Sequence, residues 1–373
     1  MSKQPFILVI PLRILSFFYA MVVGFRNWLF ETNLLRSKEY SFPVISVGNI
    51  SVGGTGKTPH TEYILSLLSK TMKVATLSRG YKRNTSGYVL ADDTATGATI
   101  GDESYQIKRK FPQVAVAVDA NRRQGIAKLL KNKEIQPLSA IVLDDAFQHR
   151  YVTPGLNILI TDSNRLFTED HMLPYGRLRE SASSKHRANI IIVSKCPASL
   201  HPMDFRIISQ KIAIFPFQTL YFTTYEYGEI YPLFAEEASA PPVTMSQLKP
   251  KSTTVLVVTG IVSPESIYAH VKRFTPNCIP MAYPDHYNFR KKDYQAITRN
   301  FDTINEPRII LVTEKDAARL LNDPLLPDQL KPYLYALPIK IKFLLDEESK
   351  FNQQILNYVS ENTRNNSFPK QKN

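Results

Sequence analysis

The sequence predicts an α/β protein, with a P-loop NTPase-like parallel sheet domain and a second, smaller α/β domain joined to it by a short β linker. Three observations predict it. From residue 40 onward, short, continuously apolar, β-branched runs alternate with stretches of helical period, the pattern of parallel strands buried on both faces. A glycine-rich loop ending in Gly-Lys-Thr stands between the first such strand and the first such helix. The alternation also breaks once, over 212–252, before resuming at Thr254.

Residues 1–35 are expected to form an amphipathic, membrane-docking helix. Residues 5–30 are the most apolar stretch, but Arg13 and Arg26 interrupt it and its longest uncharged run, 14–25, has 12 residues. That falls short of the roughly 20 a spanning helix needs. A secretory signal is not supported, because no small-x-small cleavage site follows. Ile14, Phe17, Phe18, Met21, Phe25, Trp28 and Leu29 recur at three and four, with Arg13, Ser16, Ala20, Gly24, Asn27 and Glu31 opposite. Such a stripe either packs on the domain or lies in a bilayer surface, and the sequence leaves both open.

The P-loop domain is expected over 36–211, with strands near 43–47, 73–77, 114–118, 140–143, 156–161 and 189–194 and helices over 61–70 and 102–109. The stretch 212–233 alternates apolar and polar residues and reads as an antiparallel hairpin. The Pro-, Ser- and Ala-rich 235–252 reads as a connector. The second domain is expected over 253–345, with strands near 255–259, 309–313 and 339–345. A C-terminal helix and a tail disordered from Glu361 follow over 346–373.

Composition narrows the partners. Lys and Arg outnumber Asp and Glu by 46 to 33, a net charge of +13 that favours nucleic acid, an anionic membrane or a phosphorylated substrate. No RRM, KH, helix-turn-helix or zinc signature occurs, so nucleic acid is not an expected partner. Two cysteines and seven histidines form no disulfide framework and no zinc-ligand spacing, which suits a reducing cytoplasm.

The strongest chemical signal is SVGGTGKT (51–58), where Gly56, Lys57 and Thr58 match the Walker pattern and Ser51 replaces its first Gly. Ser51, Val52, Gly53, Gly54, Thr55, Gly56, Lys57 and Thr58 are therefore the expected ATP-binding loop. Its amides and helix N-terminus face the phosphates, Lys57 reaches the β/γ oxygens, and Thr58 can bind Mg²⁺. Pro59 fits the first helical turn. In SAIVLDDAFQHR (139–150), Asp144 and Asp145 end an apolar strand and are Walker B candidates; because successive side chains alternate, one is expected to face the metal. No NKxD-type guanine reader is present, so ATP is the expected nucleotide. LSRGYKR, IGDES, NRRQG, LPYGRLRE and YPDHYNF add polar clusters at predicted strand ends, where ligand groups gather in α/β sheets.

Taken together, SVGGTGKTP, LSRGY, GDE, LDDAFQHR, LPYGRLRE, GIVSPES, PDHYNF and TEKDAARL occur in the order seen in the tetraacyldisaccharide 4'-kinases of lipid A biosynthesis. The resemblance covers about residues 10–345. The chain departs from the family pattern at Ser104, Ala146, Tyr175 and Arg177. The resemblance implies an ATP-dependent lipid kinase that phosphorylates the 4'-hydroxyl of tetraacyldisaccharide 1-phosphate, giving lipid IVA. It further implies peripheral attachment to an anionic membrane surface, the cytoplasmic face of a Gram-negative inner membrane. Lys57 would be catalytic, Asp102 would resemble the family's acid/base carboxylate, and His286 its partner from the second domain. Thr58, Asp144 and Asp145 would hold Mg²⁺, with Glu103 nearby. Arg79 and Arg122 would clamp phosphate charge, with Gln148 and His149 in support. On the residues alone, an ATP-driven switch and a kinase of a soluble acceptor also remain open.

Overall fold

The structure, a computed structural model, describes residues 6–236, 245–248, 253–261, 264–285 and 287–367. Its larger sheet has nine strands. In spatial order they are Ile339–Phe343, Thr219–Tyr227, Ile190–Ser194, Leu156–Asp162, Val44–Gly48, Ala140–Asp144, Val74–Ser78, Ala115–Val118 and Val89–Leu90. The seven central strands pair in parallel, and only the two outermost run antiparallel to their neighbours. Central strands need helices on both faces, and the sequence supplies them. On one face Ile45, Val47, Ile158, Ile160, Ile190 and Ile192 pack against Ile64, Leu65 and Leu68 of the P-loop helix (Lys57–Leu68) and Phe351 and Ile355 of the C-terminal helix (Glu348–Ser367). On the other, Leu159, Ile191 and Val193 pack under Phe147, Phe167, Leu178 and Ile212, while Ala75, Leu77 and Ile141 meet Ile126 and Leu129 of the helix Arg122–Lys131. Each fully buried Ile or Leu contributes about 1.5–3 kcal/mol, which makes this sheet the rigid frame of the site.

The second sheet has five strands in the order Tyr231–Pro232, Leu334–Leu337, Arg308–Thr313, Thr254–Thr259 and Cys278–Ala282. The expected hairpin over 212–233 does not form. Thr219–Tyr227 is a single strand of the large sheet, between Ile190–Ser194 and Ile339–Phe343, whereas Tyr231–Pro232 joins the small sheet. The apolar–polar alternation there reflects a strand near the edge of the large sheet, and Gly228 marks the crossing between sheets. Ile339–Phe343, expected in the second domain, likewise returns to the first sheet. The connector at 237–244 and 249–252 lies outside the described residues. The C-terminal helix continues past Glu361 to Ser367, where the sequence suggests a disordered tail.

The N-terminal helix is continuous from Phe6 to Glu31 through Pro11, about 39 Å at ~1.5 Å per residue. Counting only the uncharged run undersizes it. Val9–Glu31, 23 residues at mean hydropathy 1.6, is long and apolar enough to cross a membrane by length and composition. Its polar side faces the protein. Ser16 Oγ donates to the Met172 carbonyl (2.8 Å), Tyr19 Oη to the Arg179 carbonyl (3.2 Å), Arg13 to Tyr175 Oη (3.1 Å) and Arg26 to the Gln148 carbonyl (3.4 Å). Ile14, Phe17, Phe18, Met21, Phe25 and Trp28 point outward, with Phe17 63% and Trp28 50% exposed. The stripe therefore does not pack on the domain; the usual amphipathic arrangement is inverted.

Candidate active site

The phosphate loop leaves the central strand Val44–Gly48 and enters the P-loop helix. Gly48 is needed because a Cβ there would stand 2.7–2.8 Å from Phe147. Gly53 (φ 107°) and Gly56 (φ 91°) take the left-handed conformations that only glycine adopts cheaply, and a Cβ on Gly56 would also meet Tyr225 Oη at 2.5 Å. Ser51 replaces a glycine without strain because it sits extended, bridged to Leu178. Two expected phosphate ligands have other partners: Val52 N–H donates to the Arg177 carbonyl (2.8 Å) and Thr55 N–H to the Gly53 carbonyl (3.0 Å). Thr55 is locked further by Asn49 Nδ2 (2.6 Å) and, at its carbonyl, by Ser194 Oγ (2.6 Å). Val52 and Thr55 thus shape the loop, leaving Gly53, Gly54, Gly56, Lys57 and Thr58 to face a ligand.

Asp144 ends the strand Ala140–Asp144, and its buried carboxylate accepts from Thr61 Oγ1 of the P-loop helix (2.9 Å). Asp145 has φ 47°, which ends the strand's alternation. It turns toward the phosphate loop: Asp145 Oδ1 lies 3.6 Å from Lys57 Nζ and 3.1 Å from Arg179 Nη2. Burial, with Glu103 and Asp145 close by, pushes the Asp144 carboxyl up to about 7. Burial would raise Asp145 too, but Lys57, Arg179 and Arg122 outweigh it and hold that carboxyl below its usual range. Two adjacent oxygen-donor side chains, one poorly neutralised, with Thr58 one helical turn before Thr61 on the P-loop helix, suit a hard divalent cation. Glu103 also lies 3.7 Å from Lys315 Nζ. Among the described residues, no three of His, Cys, Asp and Glu gather as a metal cluster.

Asp102 opens the helix Asp102–Lys110, after Gly101 at φ 87°. A Cβ on Gly101 would stand 2.9 Å from the Tyr81 carbonyl, so the RGY and GDE turns pack back to back. Asp102 Oδ2 accepts from Arg319 Nε (2.7 Å); Arg319 Nη1 also meets Asp316 Oδ1 (3.1 Å), whose other oxygen takes Gly260 N–H (3.0 Å) and Thr313 Oγ1 (2.7 Å). His286 lies outside the described residues. Its neighbour Asp285 is held by Lys315 (3.0 Å), the lysine that also meets Glu103.

The remaining expected residues divide. Arg79 is exposed, and its charge bears on both Arg122 and His149. Arg122 is not a free clamp: it is buried and donates to the carbonyls of Asp119 (3.1 Å), Ala120 (3.4 Å) and Asp144 (3.3 Å), bracing the strand end that carries Asp144. Gln148 ties the loop after that strand to the Asn49 carbonyl, so it supports rather than clamps. His149 is held neutral, down to about 4, by burial and by Arg122, Arg26 and Arg79, and its buried Nε2 has no hydrogen-bond partner among the described residues.

A family-wide profile described as tetraacyldisaccharide-1-P 4'-kinase matches residues 8–360. The chain belongs to that kinase family. A tetraacyldisaccharide 4'-kinase of Bacteroides thetaiotaomicron is 49% identical over 362 residues, 96% of this chain and 95% of the relative. One from Flavobacterium johnsoniae is 41% identical over 345 residues, 92% and 95% of the two chains. Among solved structures, LpxK from Aquifex aeolicus in complex with ATP superposes with a TM-score of 0.71 at 26% identity, covering 94% of this chain and 99% of that one.

The departures from the 4'-kinase pattern have local explanations. Ser104 exchanges a hydrogen bond with Ser78 (2.6 Å) in the LSRGY turn, and Ala146, buried, has no positive φ to demand glycine. Tyr175 receives Arg13 from the N-terminal helix, and Arg177 lends its carbonyl to the phosphate loop. Sequence reasoning missed Arg179, Thr61, Tyr225, Lys315 and Arg319. Arg179 and Arg319 lie inside motifs it marked, LPYGRLRE and TEKDAARL, but nothing in the sequence tells which member reaches the site.

Proposed function

We propose that this chain transfers the γ-phosphate of ATP to the 4'-hydroxyl of tetraacyldisaccharide 1-phosphate, forming lipid IVA while docked on the cytoplasmic face of the bacterial inner membrane. Lys57 and the amides of Gly53, Gly54 and Gly56 bind the β- and γ-phosphates, and the positive end of the P-loop helix adds to their field. Thr58, Asp144 and Asp145 would hold Mg²⁺, which when bound neutralises charge on the phosphates. Asp102 accepts the 4'-hydroxyl proton as the new bond forms, with His286 as its partner from the second domain. Arg79, exposed at the same end of the sheet, meets phosphate charge on ATP or on the lipid.

The observation that carries this reading is convergence. Gln106 Nε2 (2.6 Å) and Lys110 Nζ (2.7 Å) of the helix that Asp102 opens both donate to Glu62 of the P-loop helix, so the acceptor-side helix and the phosphate loop are held against each other. Membrane docking is supported by the inverted N-terminal helix. A helix hydrogen-bonded to the domain at Arg13, Ser16, Tyr19 and Arg26 could cross a bilayer only by taking those polar partners with it. Lying in the surface, it sinks its aromatic stripe among the lipids, while the basic surplus attracts acidic headgroups by about 1 kcal/mol per well-placed Lys or Arg.

The test is transfer of labelled γ-phosphate to detergent-dispersed tetraacyldisaccharide 1-phosphate with Mg²⁺. Label should reach the lipid with the native chain and not with Lys57→Ala. Asp102→Ala and His286→Ala should each cut turnover about a hundredfold or more, with ATP still bound. Near-normal turnover in both would remove the acid/base assignment.

A further inference from the structure

We infer that the protein meets an anionic bilayer at a second place: the aromatic turn at 214–217 with the outer face of the helix Pro202–Ile212. This rests on the membrane-docking reading above and extends it to a surface the sequence did not mark. Ile214, Phe215, Pro216 and Phe217 are four consecutive exposed apolar residues, with Phe217 62% exposed. Met203 and Ile207 of the preceding helix are exposed beside them.

The turn is held outward. Gln218 is buried; its Oε1 accepts Phe215 N–H (3.0 Å), and its Nε2 donates to the carbonyls of Lys185 (2.6 Å) and Ala188 (2.8 Å). Lys185 Nζ donates to the carbonyls of Ile212 (2.6 Å) and Ala213 (2.7 Å) and lies 5.4 Å from the Phe215 ring centre. The Phe215 and Phe217 rings stand parallel, 5.8 Å apart. Water gives no reason to hold two phenyl rings out on a braced turn, since an exposed Phe forgoes most of the stabilisation its burial would give.

Position and charge choose the occupant. The inner side of this helix (Phe205, Ile208, Ile212) and the segment bearing Phe167, Met172 and Leu178 pack on the same sheet face, in one cluster. The N-terminal helix lies on that segment, through Ser16 to Met172 and Tyr19 to Arg179. Both outward apolar surfaces therefore look away from one side of the sheet, as two feet on one plane would. Arg206 is exposed on the same helix and the Lys185 ammonium lies beside Phe215, while Lys211 is paired with Glu169 (2.7 Å); basic groups next to an aromatic turn can meet headgroups while the aromatics enter the acyl boundary. A second copy of the chain is a poorer fit, because each carries +13.

Trp28 is the only tryptophan and lies on the N-terminal helix, so each foot can be read alone. The native chain reports Trp28, and Trp28→Phe with Phe217→Trp reports the turn. Vesicles of phosphatidylethanolamine and phosphatidylglycerol with brominated acyl chains should quench the residue-217 tryptophan by about half, as for a ring ~5–10 Å below the headgroup boundary. Phe215→Ser with Phe217→Ser should lower vesicle partition about tenfold, with transfer to detergent-dispersed substrate unchanged. If Trp28 is quenched and the residue-217 tryptophan is not, the second contact is wrong and the docking helix stands. If neither is quenched, membrane docking itself fails. Emission from residue 217 that shifts with protein concentration in the absence of vesicles would make the turn a self-association face and overturn the inference.

Discussion

Asp145 shows how much one backbone angle can decide. As a continuation of the strand it would point away from Asp144; at φ 47° it faces Lys57 and Arg179 instead. The DD pair was legible in the sequence, but its left-handed second member was not, because Asp tolerates that conformation without requiring it. His60 is a comparable case, buried where the sequence shows only a helical residue after the loop. Its Nδ1 meets the Gly56 carbonyl (2.7 Å) and its Nε2 Thr223 Oγ1 (3.0 Å). Burial, only partly offset by the Gly56 carbonyl, lowers it to about 4. Unfolded, the imidazole takes its proton near 6.5. Between those values the unfolded chain binds more protons, so the stabilisation is complete above about 6.5 and is lost as pH falls toward 4. Denaturant unfolding of His60→Gln between pH 5 and 6.5 should therefore show an acid dependence shallower than that of the native chain by about 1 kcal/mol per pH unit. Equal slopes would mean that His60 charges freely in the folded protein.

At the scale of elements, the sequence reads best where the physics is local. The central strands fall within a residue or two of the apolar runs that mark them, because full burial on both faces leaves a continuous signature. Cys278–Ala282 escaped because it is an edge strand, largely exposed and carrying Pro280, so it has neither alternation nor an apolar run. Thr219–Tyr227 and Ile339–Phe343 pair with each other across more than a hundred residues, and no local pattern encodes that pairing. The N-terminal helix combines both situations: its stripe was legible, but the side facing the domain was not, since periodicity gives a face and not its neighbour. Phe17→Asp with Phe25→Asp tests the inversion. On a free surface the pair should change folding stability by no more than about 0.5 kcal/mol per site, while vesicle sedimentation of the protein is largely lost. A large drop in melting temperature would place the stripe against protein after all.

At the scale of the molecule, the nine- and five-stranded sheets are joined by a clamp on a single helix. Along Asp102–Lys110, Asp102 meets Arg319, Tyr105 Oη accepts from Asn322 Nδ2 (2.7 Å), and Lys110 Nζ binds Glu314 (2.9 Å) as well as Glu62 of the P-loop helix (2.7 Å). Burial would lower the Lys110 ammonium, but the two carboxylates outweigh it and keep it charged. The helix Glu314–Leu320 of the smaller sheet thus sets where the acceptor-side helix, and with it Asp102, stands relative to the phosphate loop. Arg319 is then a positioning residue: its guanidinium is fixed by Asp316, itself anchored to Gly260 and Thr313, and so holds the Asp102 carboxylate in place. Arg319→Met should lower kcat about tenfold or more, leaving the KM for ATP within about threefold because Lys57 and its loop are untouched. Arg319→Lys should recover part of the loss by restoring the charge without the fork. Removing the guanidinium also leaves Asp316 buried beside a missing partner, so melting temperature must be followed and turnover measured well below it. An unchanged kcat in a folded Arg319→Met enzyme would reduce the contact to a structural one. A KM for ATP that rises in step with the loss of turnover would mean that the clamp serves the nucleotide rather than the acceptor.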